Sequence, residues 1–152
     1  MGTGLAKART VIETWLKSDA KHTNAFPPMV IHVTDGEPDP SEEQKALDEA
    51  EKIKAIATDD GNALIFTVHI PDRGGETVLF PVTEGDLPAG DDSAKRLYKM
   101  SSVLPVEMIG LASEWGLPVK SGCRLMVMNA DALSATQLIQ FGSTAGNGPK
   151  FE

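Results

Sequence analysis

The stretch Phe26–Pro40, FPPMVIHVTDGEPDP, decides the fold. Pro27 and Pro28 end whatever precedes them, because neither offers a backbone N–H. Met29, Val30, Ile31, His32 and Val33 follow as a short, almost continuously apolar run. Thr34-Asp35-Gly36-Glu37 closes it with turn chemistry, and Pro38-Asp39-Pro40 keeps the backbone irregular. An apolar run of this length between turn signals reads as a strand buried on both faces, as in a parallel sheet. An acid at the carboxyl end of such a strand stands where α/β sheets place their ligands. Asp35 is therefore the first candidate functional residue.

Working outward, the flanking segments read as helices. Leu5, Ala8, Ile12, Trp15 and Leu16 recur at helical spacing, which predicts an amphipathic helix over Gly4–Lys17. Ser41-Glu42-Glu43-Gln44 has the pattern of a capping box, with Ser41 as N-cap and Gln44 at N3. The predicted helix carries a stripe of Ala46, Leu47, Ala50, Ile53 and Ala57, and Asp59-Asp60-Gly61 turns the chain. Asn62–Ile70 is the second predicted strand, so the centre of the chain reads β-α-β with a parallel pair. Thr77–Phe80 is expected to fold back on that strand as an antiparallel flap. Asp92 or Ser93 caps a helix over Ala94–Met100, and Pro105 opens another that ends near Gly116 and Pro118. Arg124–Asn129 is a third core strand. Asp131 caps a last helix that stops at Gly142. The expected architecture is α/β, a parallel sheet with helices on both faces. Residues 1–145 form the domain and residues 146–152 a flexible tail.

The apolar strand with Thr34-Asp35-Gly36-Glu37 resembles the fourth strand and third metal loop of a von Willebrand factor type A (vWA) domain. Met100–Pro105, MSSVLP, and Asn129-Ala130-Asp131 resemble the bacterial intracellular members of that family. The resemblance covers the second half of such a domain. The family's Asp-x-Ser-x-Ser motif and its first strand have no counterpart in these residues, and its second-loop threonine would fall upstream of Met1. The resemblance implies a three-layer, Rossmann-like vWA fold that is incomplete. It also implies a protein-interaction module rather than an enzyme, with a remnant of a metal-ion-dependent adhesion site. Asp35 is the residue that matches a magnesium ligand. Glu37 and Asp39 are placed to act through water, and Thr3 is the nearest hydroxyl to the missing threonine loop. One carboxylate holds magnesium weakly or not at all. A protein partner would present an acidic group to the cation. Without the family's first strand, Met29–Thr34 is expected to present an open edge, and hence to form a homodimer or pair with another chain. The rival reading is a magnesium-dependent phosphoryl-transfer enzyme or phospho-acceptor domain using Asp35.

Composition narrows the classes. The 152 residues suffice for one domain with a real core, with 41% hydrophobic and 24% charged residues. Fourteen basic and 22 acidic side chains leave a net charge of -8, which disfavours nucleic acid and anionic membranes as partners. Cys123 is the only cysteine, so no internal disulfide forms; with no signal-peptide pattern, a cytoplasmic location is expected. His22, His32 and His69 lack metal-ligand spacing, and the two in predicted strands read as satisfied core histidines. Ser101-Ser102 lacks the glycines of a nucleophile elbow. Gly2-Thr3-Gly4 has no preceding strand and reads as a helix start rather than a phosphate loop.

Overall fold

The computed structural model describes residues 1–35, 39–71 and 74–145. In it the chain runs α1 (Gly2–Ser18), a 3-10 turn (Ala20–Asn24), β1 (Met29–Thr34), α2 (Pro40–Lys54) and a small hairpin of β2 (Ala57–Thr58) and β3 (Gly61–Asn62). It continues through β4 (Leu64–His69), β5 (Val78–Leu79), α3 (Asp92–Met100), α4 (Val106–Glu114), β6 (Met126–Met128) and α5 (Ala132–Ala145). The four-stranded sheet has the order β1-β4-β6-β5, with β1, β4 and β6 parallel and β5 antiparallel to β6. Helices cover both faces, so the chain is α/β with a mostly parallel sheet, compatible with a Rossmann-like fold. Among the described residues no helix is long and apolar enough to cross a membrane.

The alternation of β4 builds the layers. Ile65 faces α1 and α2, where it joins Leu5, Ile12, Ala46, Ala50 and Ile53. Phe66 and Val68 are core residues of the other face, with Met108 and Ala112 of α4 and Leu138 and Phe141 of α5. Each large aliphatic or aromatic side chain taken out of water in this way stabilises the fold by roughly 1.5–3 kcal/mol before entropy is counted. Helices α1 and α2 pack side by side in the same direction. Gly2 lets them approach: a Cβ there would lie 2.9 Å from Lys45 Cγ and 3.1 Å from the Ala46 amide nitrogen. Further down, Arg9 Nε donates to Glu49 at 2.7 Å, and Lys52 Nζ reaches the other Glu49 oxygen at 2.7 Å. This buried carboxylate sits on the face predicted to be apolar, where two cations neutralise it.

β4 and β6 are ladder partners only at Thr67–Met126 and Val68–Val127. Toward their amino ends Ser101–Leu104 wedges between them. Ser102 N donates to Ile65 O (2.9 Å), Ser102 Oγ accepts from Ile65 N (2.9 Å), and Leu125 N donates to Ser102 O (2.8 Å). Ser101 Oγ lies 2.9 Å from Thr67 Oγ1 and 2.7 Å from Leu97 O. Both serines are buried, and their hydroxyls are engaged in these hydrogen bonds.

Several expected boundaries are corrected. The α2 cap is Asp39, not Ser41. Asp39 Oδ1 accepts from Ser41 N (2.8 Å) and from Ser41 Oγ (2.6 Å). Pro40 causes the shift, because the first helical position needs no N–H and proline fits it. Ala57 is not on the helical stripe; it is exposed and pairs with Asn62 in the hairpin. The segment after β4 returns to β6, not to β4, because β4 already has β1 and β6 on its two sides. Asp91, one residue before the expected cap, holds Ala94 N at 2.8 Å. Helix α5 does not stop at Gly142 but runs to Ala145. Gly142 is needed for packing instead, since a Cβ there would lie 3.0 Å from Ile31 Cδ1 and 3.2 Å from Met29 Sδ. The expected tail lies outside the described residues.

Candidate functional site

The carboxyl ends of β1, β4 and β6 form one rim. Thr34 is in register with His69, and Ile70 N donates to Thr34 O at 2.9 Å. Asp35 follows on this rim, exposed, immediately after the strand. Ala130 N donates to His69 O at 3.0 Å, which ties β6 to β4 at the same level.

Asn129 organises the far side of the rim. It has a left-handed backbone (φ 53), a conformation that asparagine tolerates better than most residues. Its Nδ2 donates to Glu76 O at 2.8 Å, and its carbonyl accepts from Thr77 Oγ1 at 3.0 Å. Gly75 allows this contact, since a Cβ there would lie 2.7 Å from Asn129 Nδ2. The two bonds pin the segment entering β5 against the rim. Asp131 next door caps α5, accepting from Ser134 N at 2.7 Å, as the sequence predicts.

The start of α1 carries an anion of its own. Glu42 accepts from Thr3 N at 2.8 Å and from Thr3 Oγ1 at 3.1 Å, and Lys45 Nζ lies 3.2 Å away. The amide of Thr3, then the Lys45 ammonium, pull the Glu42 carboxyl down to about 2. The free N–H groups at a helix start attract an anion, and here a side chain from the first turn of α2 supplies it. The same contact locks the two helix starts together.

The candidate cation ligands fare differently. Asp35 is exposed and available. The Thr3 hydroxyl is committed to Glu42 and receives Lys45 Nζ at 3.0 Å, so an ammonium stands where a cation would have to come. Asp39 is committed to Ser41, whose hydroxyl and amide hold its carboxyl below the ordinary range. Glu37 lies outside the described residues. Among the described residues no group of three histidine, cysteine or acidic side chains could hold a metal ion. A magnesium ion wants near-octahedral oxygen donors. Thr3 is engaged by Glu42 and Lys45, Asp39 Oδ1 is engaged by Ser41, and Asp35 is exposed at the end of β1.

Of the two strand histidines expected to be satisfied, His32 departs from expectation. His32 Nδ1 is buried without a hydrogen-bond partner among the described residues. Burial, then the amino terminus, push its pKa below the ordinary value. His69 Nδ1 lies at 3.5 Å from Asn129 N, a long contact. His22 stacks on Trp15 with ring centroids 4.2 Å apart. Sequence reasoning missed the Thr3–Glu42 link and the Asn129 pin. Each joins residues far apart in the chain through side-chain–backbone bonds, for which periodicity carries no signal. No family model, curated protein or solved structure matches the chain.

Proposed function

We propose that this chain is a protein-interaction module of the vWA type, non-enzymatic, with Asp35 as the remnant of a divalent-cation site. The observation that carries the reading is the exposed acid at the carboxyl end of β1, on the rim where α/β sheets place ligands. The polar groups at the helix starts and after β6 support the non-enzymatic side. Asn129, Thr77, Asp131, Asp39, Thr3 and Glu42 are each engaged in holding a loop or a helix end. They hold loops and helix ends in place, and Asp35 is exposed.

The test has two arms. Thermal melts with and without millimolar magnesium should nearly coincide, because a weak ligand adds little by mass action. A large upward shift that vanishes in Asp35→Ala would mean a complete cation site and overturn the remnant reading. Incubation with magnesium and a small phosphoryl donor should leave Asp35 unlabelled. An acyl phosphate on Asp35 would overturn the non-enzymatic reading in favour of phosphoryl transfer.

A further inference from the structure

The two edges of the sheet are built differently. On one side β5 is only two residues long, and Phe80 just after it has a φ of 49 that turns the chain. Short edge strands are a common protection against unwanted pairing. On the other side β1 is six residues long, and among the described residues no strand pairs with its outer edge. Pro28 O and Thr34 O accept from Leu64 N and Ile70 N, both at 2.9 Å. The even-numbered residues of β1 therefore bond to β4. By the alternation of the ladder, the N–H and C=O groups of Met29, Ile31 and Val33 point outward. No lysine, proline or bulge interrupts these three positions.

The edge continues into both helix layers. A groove of about 340 Å³ runs beside it, lined by Trp15, Phe26, Pro27, Met29, Ile31 and Gly142. Val11, one turn before Trp15 on α1, is 67% exposed, Val33 on the strand is 46% exposed, and Ile139, one turn before Ser143 of the groove on α5, is 37% exposed. Charge is the deciding feature. The whole of α5, ALSATQLIQFGSTA, has no ionisable side chain, and β1 has only His32, which burial holds toward its neutral form. In a chain of net charge -8, β1 and α5 give this face no fixed charge, and α1 adds Lys7 one turn before Val11.

We propose that this face binds a second copy of the chain, with β1 pairing antiparallel to its counterpart about a two-fold axis through Ile31. Two copies of an acidic chain repel least where the approaching surfaces carry no acid, and β1 and α5 carry none. A two-fold normal to the sheet sets Ile31 opposite Ile31, and Met29 opposite the second copy's Val33. Both strands then satisfy their outward backbone groups together. The same operator sets α1 against α1 and α5 against α5, so Val11 and Ile139 are covered in the same step. An extended peptide would satisfy the strand but not the helix layers. The contact runs along the outer edge of β1 and needs no cation at Asp35, so it is tested independently of the proposed function.

Size-exclusion chromatography with light scattering on the full chain tests it. The expected mass is twice the 16.2 kDa of one chain, concentration-dependent in the micromolar range. Val33→Lys, at an exposed position that needs no core rearrangement, should raise the dissociation constant by at least about tenfold. Val11→Asp should weaken the dimer while the far-UV circular dichroism of both variants stays that of the parent. Hydrogen exchange at Met29, Ile31 and Val33 should slow as concentration rises. A monomer at high concentration, a dimer indifferent to both substitutions, or open-ended assemblies would each overturn the proposal. So would a monomer that binds an extended apolar peptide at this edge.

Discussion

Ser102→Ala removes one oxygen and tests how the sheet is closed between β4 and β6. Ser102 Oγ is the acceptor for Ile65 N at 2.9 Å, and Ile65 is fully buried. Beside Ile65 the chain offers Ser102 rather than β6, because the β4–β6 ladder begins only at Thr67 and Met126. Alanine fits the space but leaves the Ile65 N–H without an acceptor. An orphaned buried amide costs about 1–3 kcal/mol, well above the ~1 kcal/mol net value of an ordinary hydrogen bond. Taking about 2 kcal/mol, the melting temperature of a domain this size should fall by roughly 4–8 °C. Ser102 N would still donate to Ile65 O at 2.9 Å, so the wedge should stay in place and the fold persist. The assay is urea denaturation combined with amide exchange read at Ile65. The expected result is a lower midpoint, an unchanged slope, and faster exchange at Ile65 than at its neighbours. A loss under about 0.5 kcal/mol with Ile65 still slow to exchange would refute the reasoning, since the amide would then have another partner.

Asp39→Ala should cost about 1 kcal/mol of stability in denaturant titrations, while Ser41→Ala should cost less, because Ser41 donates to the cap rather than forming it. Burial holds the folded His32 pKa below 6.5, so the unfolded chain binds its proton more readily. Stability from this group is therefore complete above pH 6.5 and falls as the pH drops below it; His32→Leu should flatten that limb of the stability–pH curve. Glu42, drawn down from 4.5 to about 2 by Thr3 and Lys45, contributes stability above pH 4.5 that is lost as the pH falls toward 2. Glu42→Gln should give a shallower acid transition over that window, measured by circular dichroism, and an unchanged slope would refute the link between the two helix starts.

Much of the frame was legible in the residue pattern. The β-branched run after Pro27-Pro28, the helical stripe from Leu5 to Leu16 and the apolar strand around Phe66 all place their elements, because burial of one face imposes a period on the chain. The α/β class and three parallel strands follow from their alternation. Asp131 as a cap was legible too, because capping is a contact within one turn. Asp39 was obscured because Pro40 moves the helix start by two residues and Ser41 mimics the cap.

Only the tertiary structure decided where the strands lie side by side. It set β1 at the edge, sent β5 to β6, and inserted Ser102 into the ladder. It also turned Thr3 and Glu42 toward each other and left the His32 imidazole without a partner among the described residues. These are contacts between residues tens of positions apart, set by which backbone groups remain unsatisfied once the layers have packed. Local sequence determines which face of a segment must be buried; the shared geometry of all the segments determines what buries it.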